Sequence, residues 1–471
     1  MTMIRGNDGT GPGRSRTVII LAAAALTALG MGGMNDGGPA RPMSRPANPF
    51  VADPRPSVII ISIDTLRADH LGAYGYQRGT SRNIDRLARE STLFLRCYAQ
   101  SSWTPSSVGS LFTSLYPEQH GSFGKDEVTL PAENVTLAEV LRGAGYQTAA
   151  FSSSPFIHPD FGFGQGFMEF GFDPAENAGN LNALVLEWLG RRTREPFFLY
   201  VMYFDPHFSY TPPASYRELF HNGPDGKPLW DPARVTRIDN LFDLNATVGR
   251  ETFEYLKSEY DGEIAYADAE AGKLLQALKD AGILDRAIVV LTADHGEEFL
   301  EHGGFGHGNT LYQEVLHVPL LIMAPGFAPG AVMGETVRQI DVMPTLLEML
   351  GVALPHPVEG RSLLGGELGG RPVFSASRHL FHEGEIWRSL SEGNLKIIVA
   401  HHPDRVELYD LAADPEEQRN LAGEDPEMLK KMTEEFIACR RAMLPSNLKS
   451  GAAVHPDRTN ELLKSLGYIG K

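Results

Sequence analysis

Three long apolar runs in this chain end the same way, and that repetition limits what it can fold into. Ser57-Val58-Ile59-Ile60-Ile61-Ser62-Ile63 stops at Asp64, Pro196–Phe204 stops at Asp205, and the run from Ala287 to Thr292 leads to Asp294-His295. Each run is continuously apolar instead of alternating, which predicts strands buried on both faces of a sheet. Further strands are expected over Thr92–Tyr98, Thr148–Ser152 and Pro319–Met323. Between the strands the pattern is helical. Helices are predicted over Asn83–Glu90, from Thr104 to about Leu115, and over Thr136–Arg142, Leu181–Leu189, Arg250–Ala281 and Val342–Leu350. Strands that alternate with helices predict an α/β fold built on a doubly wound, mostly parallel sheet. Ligands of such sheets bind beyond the carboxyl ends of the strands. Asp64, Asp205 and Asp294 are therefore expected along one edge.

The texture changes near Arg371. Short strand candidates at Val373–Ser377, Trp387–Leu390, Lys396–Ala400 and Val406–Tyr409 precede a final helix over Pro426–Met443, which predicts a small antiparallel sheet. At the other end, Arg5, Arg14 and Arg16 precede an apolar run from Val18 to Leu26. That run is shorter than the ~20 residues of a membrane span, so it reads as a signal-peptide core or an uncleaved anchor. No cysteine follows it, which argues against a lipoprotein. The expected organisation is a leader or anchor over 1–34, a Gly/Pro-rich linker over 35–56, a large α/β domain over 57–365 and a C-terminal subdomain over 366–471. The chain is expected to be exported, to a periplasmic, extracellular or membrane-anchored location, with no other contact with a membrane.

The net charge is −17 and no Lys/Arg run is present, which excludes a nucleic-acid partner. The acidity suits a protein that collects divalent cations. The two cysteines, Cys97 and Cys439, make neither a disulfide framework nor a zinc ribbon. They are expected as buried free thiols, with pairing after export as the alternative.

Several residues have the chemistry of a site. Thr104 precedes Pro105, so it is expected to cap a helix N-terminus, where free N–H groups and the helix dipole favour an anion. Asp294-His295-Gly296-Glu297 places a carboxylate and an imidazole at a strand end, a plausible metal pair. Asp64 ends the first strand. His207, His302 and His307 lie in glycine- or proline-containing loops expected at the same edge. Each also has a purely structural reading as a helix cap, a turn or a core histidine. The segment from His221 to Thr247 lacks periodicity and is expected to wall the pocket.

These residues also carry a resemblance. Ser62–Gly72 with Tyr74-Gly75, Thr292–Glu297, Phe204–Pro213, Val318–Ile322 with Pro325-Gly326, and Glu407–Leu411 with Asp414-Pro415 and Asn420-Leu421 resemble motifs of the sulfatase family. That family belongs to the alkaline phosphatase superfamily, and the resemblance covers nearly everything after Ser57. It implies an alkaline phosphatase/sulfatase-like fold and a hydrolase of sulfate or phosphate-type esters. The family places a Cys or Ser before x-Pro-Ser-Arg and oxidises it to formylglycine, and its segment closes with Thr-Gly nine residues on. Here Thr113-Ser114 stands at the close, so Thr104 occupies the nucleophile position. Pro105 comes one residue early, Val108 replaces the Arg, and no formylglycine is expected. Thr65 replaces the second early aspartate, and the Lys-x-His pair is absent.

The resemblance implies one divalent ion (Ca, Mn or Zn) held by Asp64, Thr104, Asp294 and His295. His207 or His307 would protonate the leaving group or hold the non-bridging oxygens. A second metal through Asp205, His207 and His307 is disfavoured by the tight Asp-Pro-His spacing. The substrate class is a small-molecule, glycan or lipid anionic ester. The alternatives are a phosphodiesterase, a phosphoryl-type transferase, and an inactive homologue that binds anions or glycans.

Overall fold

The Val58–Ile63 run forms the strand around which the sheet is built. The computed structural model describes residues 55–443, except 125–127, 192–195, 223–226, 228, 231–248, 366–367, 379–383 and 402–403. The expected leader, nearly all of the linker, most of the segment from His221 to Thr247 and the tail after 443 lie outside the described residues. The strands are β1 (Val58–Ile63), β2 (Thr92–Tyr98), β3 (Gln147–Ser152), β4 (Glu169–Phe172), β5 (Phe197–Tyr203), β6 (Ile288–Ala293), β7 (Glu298–Phe299), β8 (Phe305–Gly306), β9 (His317–Met323), β10 (Val332–Arg338), β11 (Val373–Arg378), β12 (Ile386–Glu392), β13 (Leu395–His401) and β14 (Arg405–Asp410). The helices are α1 (Arg82–Glu90), α2 (Thr104–Thr113), α3 (Pro117–His120), α4 (Leu137–Gly143), α5 (Ala178–Arg191), α6 (Ala214–Arg217), α7 (Arg250–Asp280), α8 (Gln313–Leu316), α9 (Val342–Met349) and α10 (Pro426–Ala442).

Eight strands form the main sheet in the order β10-β2-β9-β6-β1-β5-β3-β4. β1 runs parallel to β5 and to β6, with Ile63 level with Tyr203 on one side and with Ala293 on the other. This register brings Asp64, Asp205 and Asp294 out at the same edge. All six β1 side chains except Ser62 are apolar, and none of the six is exposed. Burying an Ile or Val side chain contributes about 1.5–3 kcal/mol, which explains why the run tolerates no polar face. The sheet is mostly parallel, as expected. β9 is the exception, antiparallel to both β2 and β6. Two strands of this sheet were not anticipated. β4 is four residues long, and β10 is interrupted by Gly334-Glu335 and bulged between Met333 and Thr336.

The C-terminal strands form a separate antiparallel sheet, β11-β12-β13-β14. Its own core includes Phe374, Leu390, Ile397 and Leu408, with Met432 and Phe436 of α10 packed on them. Ala376 N donates to Gln100 O (2.9 Å) and Ser375 Oγ to Ala99 O (2.7 Å), which ties this sheet to the loop before α2. Cys97 is buried in β2, Cys439 lies half-buried on α10, and both are free thiols. Among the described residues, no helix is long and apolar enough to cross a membrane.

Candidate active site

Thr104 is the first residue of α2, not its cap. Trp103, with extended backbone, occupies the cap position, so the threonine hydroxyl caps nothing. It reaches sideways instead. Thr104 Oγ1 lies 3.0 Å from His295 Nε2 and 3.5 Å from Asp64 Oδ1. One turn on, Ser107 Oγ donates to Asp294 O (2.5 Å) and clamps α2 to the end of β6. At the far end of the helix, Ser114 adopts φ 58, the left-handed conformation favoured by the glycine that commonly follows a helix. Its hydroxyl donates to Ile340 O at 2.6 Å. A helix close in the left-handed region is what a Thr-Gly pair would supply, and here Thr113-Ser114 supplies it.

Asp64, Asp294 and His295 are all at most 1 % exposed. Asp294 Oδ1 accepts from Thr65 N (3.1 Å) and from His295 N (2.9 Å). Thr65, at φ 52, therefore serves this site through its backbone. His295 Nδ1 donates to Gly296 O at 2.9 Å, which turns Nε2 toward Asp294 Oδ2 (3.3 Å), Asp64 Oδ1 (4.0 Å) and Thr104. Asp64 Oδ2 and Asp294 Oδ2 are buried with no hydrogen-bond donor among the described residues. Such oxygens cost several kcal/mol unless paired. Burial, reinforced by Asp294 and Glu297, pushes the Asp64 carboxyl well above the usual carboxylate range. One ligand atom from each of Asp64, Asp294 and His295 falls within 4.8 Å of the others. Two orphaned carboxylate oxygens and an imidazole lone pair are a donor set that fits a divalent cation.

His307 and His207 stand beside this cluster. The His307 ring is 4.4 Å from His295 and 4.9 Å from His207. Glu297 Oε1 holds His307 Nδ1 at 2.7 Å, while Glu297 Oε2 accepts from the Tyr210 hydroxyl (2.9 Å). Burial pushes Glu297 up to about 8. Burial and the neighbouring imidazoles pull His207 and His307 well below the usual histidine range. His207 stacks on Phe204, with ring centroids 4.2 Å apart, and its Nδ1 bonds Phe208 O.

Other candidates leave the site. Asp205 Oδ2 accepts from Ala178 N (2.8 Å), capping α5. Among the described residues, Asp205, His207 and His307 form no metal cluster. His302 stacks on Tyr312 and bonds Glu314 (2.7 Å) and Glu417 O (3.1 Å). Glu298, His302 and Glu314 are also close enough to share an ion. Their polar atoms are already used, however: Glu298 accepts from Gly304 N (2.7 Å) and Thr310 Oγ1 (3.2 Å).

The sulfatase family model matches residues 56–352, and the C-terminal model of N-sulphoglucosamine sulphohydrolase matches residues 300–442. The chain belongs to the sulfatase family. Arylsulfatase K of Xenopus laevis is 25 % identical to it over 74 % of this chain and 76 % of that protein. The N-acetylglucosamine-6-O-sulfatase of Bacteroides thetaiotaomicron is 24 % identical over 81 % and 85 %. Among solved structures, the phosphonate monoester hydrolase of Agrobacterium radiobacter superposes with TM-score 0.69 at 22 % identity, covering 83 % of this chain and 96 % of that one. A sulfatase-family relative of this chain is thus an ester hydrolase of the sulfuric or phosphoric type, and the mixed sheet with a four-stranded C-terminal sheet is the family's fold. Members of the family bind a divalent metal, and among the described residues Asp64, Asp294 and His295 form one of two clusters whose spacing could hold one.

Proposed function

We propose that this sulfatase-family member is a metal-dependent hydrolase that uses Thr104 as its nucleophile. The observation that carries the reading is the position of Thr104 Oγ1, at a helix N-terminus and 3.0 Å from His295 Nε2 beside two orphaned carboxylate oxygens. Asp64, Thr104, Asp294 and His295 would hold one divalent ion. When bound, the ion would lower the hydroxyl pKa, draw in the ester oxygens and offset developing charge. Deprotonated Thr104 Oγ1 attacks the sulfur or phosphorus in line. The Oγ1–S or Oγ1–P bond forms as the bond to the leaving alkoxide breaks, and the alkoxide takes the Nε2 proton of neutral His307 as Glu297, pushed up to about 8 and so protonated, passes its own to His307 Nδ1 at 2.7 Å. Water then hydrolyses the threonine ester and restores the hydroxyl.

A threonyl sulfate lacks the elimination route that the extra hydroxyl of formylglycine provides. Phosphate-type esters are therefore the better substrates on chemistry, and sulfate esters are the better ones by kinship. The module 57–365 carries this chemistry, with 366–471 as a C-terminal subdomain, and residues 1–34 direct export or anchor the chain.

The test supplies Ca, Mn, Mg or Zn in turn to the purified protein with aryl sulfate, aryl phosphate and bis-aryl phosphate. Parent activity with at least one pair, lost by ~10³-fold or more in Thr104→Ala, supports the reading. A Thr104→Ala variant as active as the parent refutes the nucleophile. A mass shift of the Thr104 peptide by one sulfuryl or phosphoryl group, trapped during turnover, would identify the adduct directly.

A further inference from the structure

A cavity of about 200 Å³ opens beside His207, and its walls are acidic. Asp205, Glu263 and Glu176 line it, and no Lys or Arg does so among the described residues. Asp205 and Glu263 are more than nine-tenths buried. Glu263 Oε1 accepts from Thr211 N at 2.5 Å, while Glu263 Oε2 is buried without any donor. Arg217, a cation whose charge reaches Glu263, is committed to Glu259 at 2.8 Å. Glu176 holds a left-handed backbone at φ 54, unusual for a residue with a Cβ. Acceptor-only groups crowded in a low-dielectric pocket need a cation or protons.

We propose that this cavity is a subsite for a primary ammonium group carried on the leaving-group side of the ester. The inference rests on the hydrolase reading above. His207 belongs to both places: it lines the cavity and lies 4.9 Å from His307, which neighbours the Thr104–His295 pair. On this proposal, an ester whose anionic head meets Thr104 extends its alcohol part past His207 toward the acidic walls.

Three observations select the kind of cation. Among the described residues, the carboxylates of Asp205, Glu263 and Glu176 do not gather one oxygen each around a common point, as a metal needs and as Asp64, Asp294 and His295 do. The volume of about 200 Å³ is several times the ~30 Å³ share of one water molecule, so it admits an organic group. The orphaned Glu263 Oε2 needs an N–H donor; a primary ammonium has three, and a quaternary one has none. Burial pushes Asp205 and Glu176 up to about 7, so they are ready to lose protons to an incoming cation. The substrate class is then a sulfate or phosphate ester of an amino sugar or amino alcohol with its amine unmodified.

The test pairs substrates that differ only in charge. The loaded enzyme is given glucosamine 6-sulfate against N-acetylglucosamine 6-sulfate, and 2-aminoethyl sulfate against ethyl sulfate, with the matching phosphates. The expected result is a preference of ~10-fold or more in kcat/KM for the ammonium ester, equivalent to one well-placed ionic hydrogen bond. In Glu263→Gln the preference is expected to shrink to within ~3-fold. Which pair shows the larger preference separates amino sugar from amino alcohol. Glu176→Gln, at the half-buried rim, serves if Glu263→Gln fails to fold. A parent preference near unity, or one unchanged in both variants, overturns the subsite. Calorimetric binding of free glucosamine, with N-acetylglucosamine as control, reads the cavity without turnover. Glu263-dependent binding in a protein that cleaves no ester would keep the subsite and sink the hydrolase reading. Thr104-dependent cleavage of aryl esters with no amine binding or preference would do the reverse.

Discussion

Asp64→Asn separates a carboxylate kept for a cation from one kept for the fold. In the metal-free protein, Asp64 and Asp294 have ligand atoms within 4.8 Å of each other, and neither Oδ2 has a donor. At an effective dielectric constant of ~20, two unit charges at that spacing repel by about 3.5 kcal/mol. Protonation limits the penalty. The folded-state pKa of Asp64 is raised, so the folded protein binds the proton more tightly than the unfolded chain does. Stability then falls as pH rises above ~4, the unfolded carboxyl value. The substituted amide carries no such penalty, keeps an oxygen acceptor for Thr104 and adds an N–H donor near Asp294. Asp64→Asn should be neutral near pH 4 and more stable than the parent by about 2–3 kcal/mol near pH 8, in chelator. For a chain this long, that is a rise in Tm of a few degrees. Added Mn, Ca or Zn should raise the Tm of the parent and leave the variant unmoved, and the variant should lose ester cleavage. Thermal melts at pH 5 and pH 8, with chelator and with each metal, decide it. A variant less stable than the parent at pH 8 in chelator would show that the carboxylate is structural.

Glu297→Gln keeps the shape of the group that holds His307 and Tyr210 but removes its transferable proton; kcat should fall by ~10²-fold with little change in melting temperature, measured by steady-state kinetics and calorimetry. His302 is opposed by burial but raised overall to about 9 by its bond to Glu314, so its ion pair stabilises the fold fully below pH ~6.5 and is lost as pH rises through 9. His302→Ala should therefore cost about 1–2 kcal/mol more at pH 6 than at pH 9.5 in denaturant titrations, with solvent screening included.

The sheet was legible because its strands are long and apolar throughout, a signal that survives without any neighbour information. β4 and β10 were not, since four residues give little periodicity and Gly334-Glu335 breaks the apolar pattern of an edge strand. The edge position of Asp64, Asp205 and Asp294 followed from strand ends alone. Their division of labour did not. Only tertiary contact shows that Asp205 caps α5 while Asp64 and Asp294 face each other. Thr104 sits one residue further into its helix than expected because a Thr-Pro pair suits both cap and first-turn positions. Glu297 was visible as part of a strand-end motif, but its partnership with His307 and Tyr210 spans loops that no local pattern connects. The acidic cavity was invisible for the same reason: Glu176, Asp205 and Glu263 come from three separate elements.

Carboxylates outnumber free cations at the sheet edge around Thr104. Asp64, Asp294 and Glu297 surround Thr104 and His295, while His207 and His307 are held neutral by burial. Arg67 is a cation whose charge reaches Glu297, yet its guanidinium is bound to Asp69 (2.7 Å) and Glu301 (2.6 Å). An anionic ester thus enters a site whose own side chains are acidic, and something positive must arrive with it. Protons can do this, since Asp64 is raised and Glu297 sits at about 8. A divalent ion does it better, because it also takes up the two orphaned oxygens. Inorganic phosphate or vanadate should therefore bind the metal-free protein weakly and with proton uptake. It should bind the metal-loaded protein at least ~10-fold more tightly and without uptake. Calorimetry in two buffers of different ionisation heat measures both quantities. Equal affinity and equal proton uptake with and without metal would mean that the positive charge for the anion comes from elsewhere in the chain.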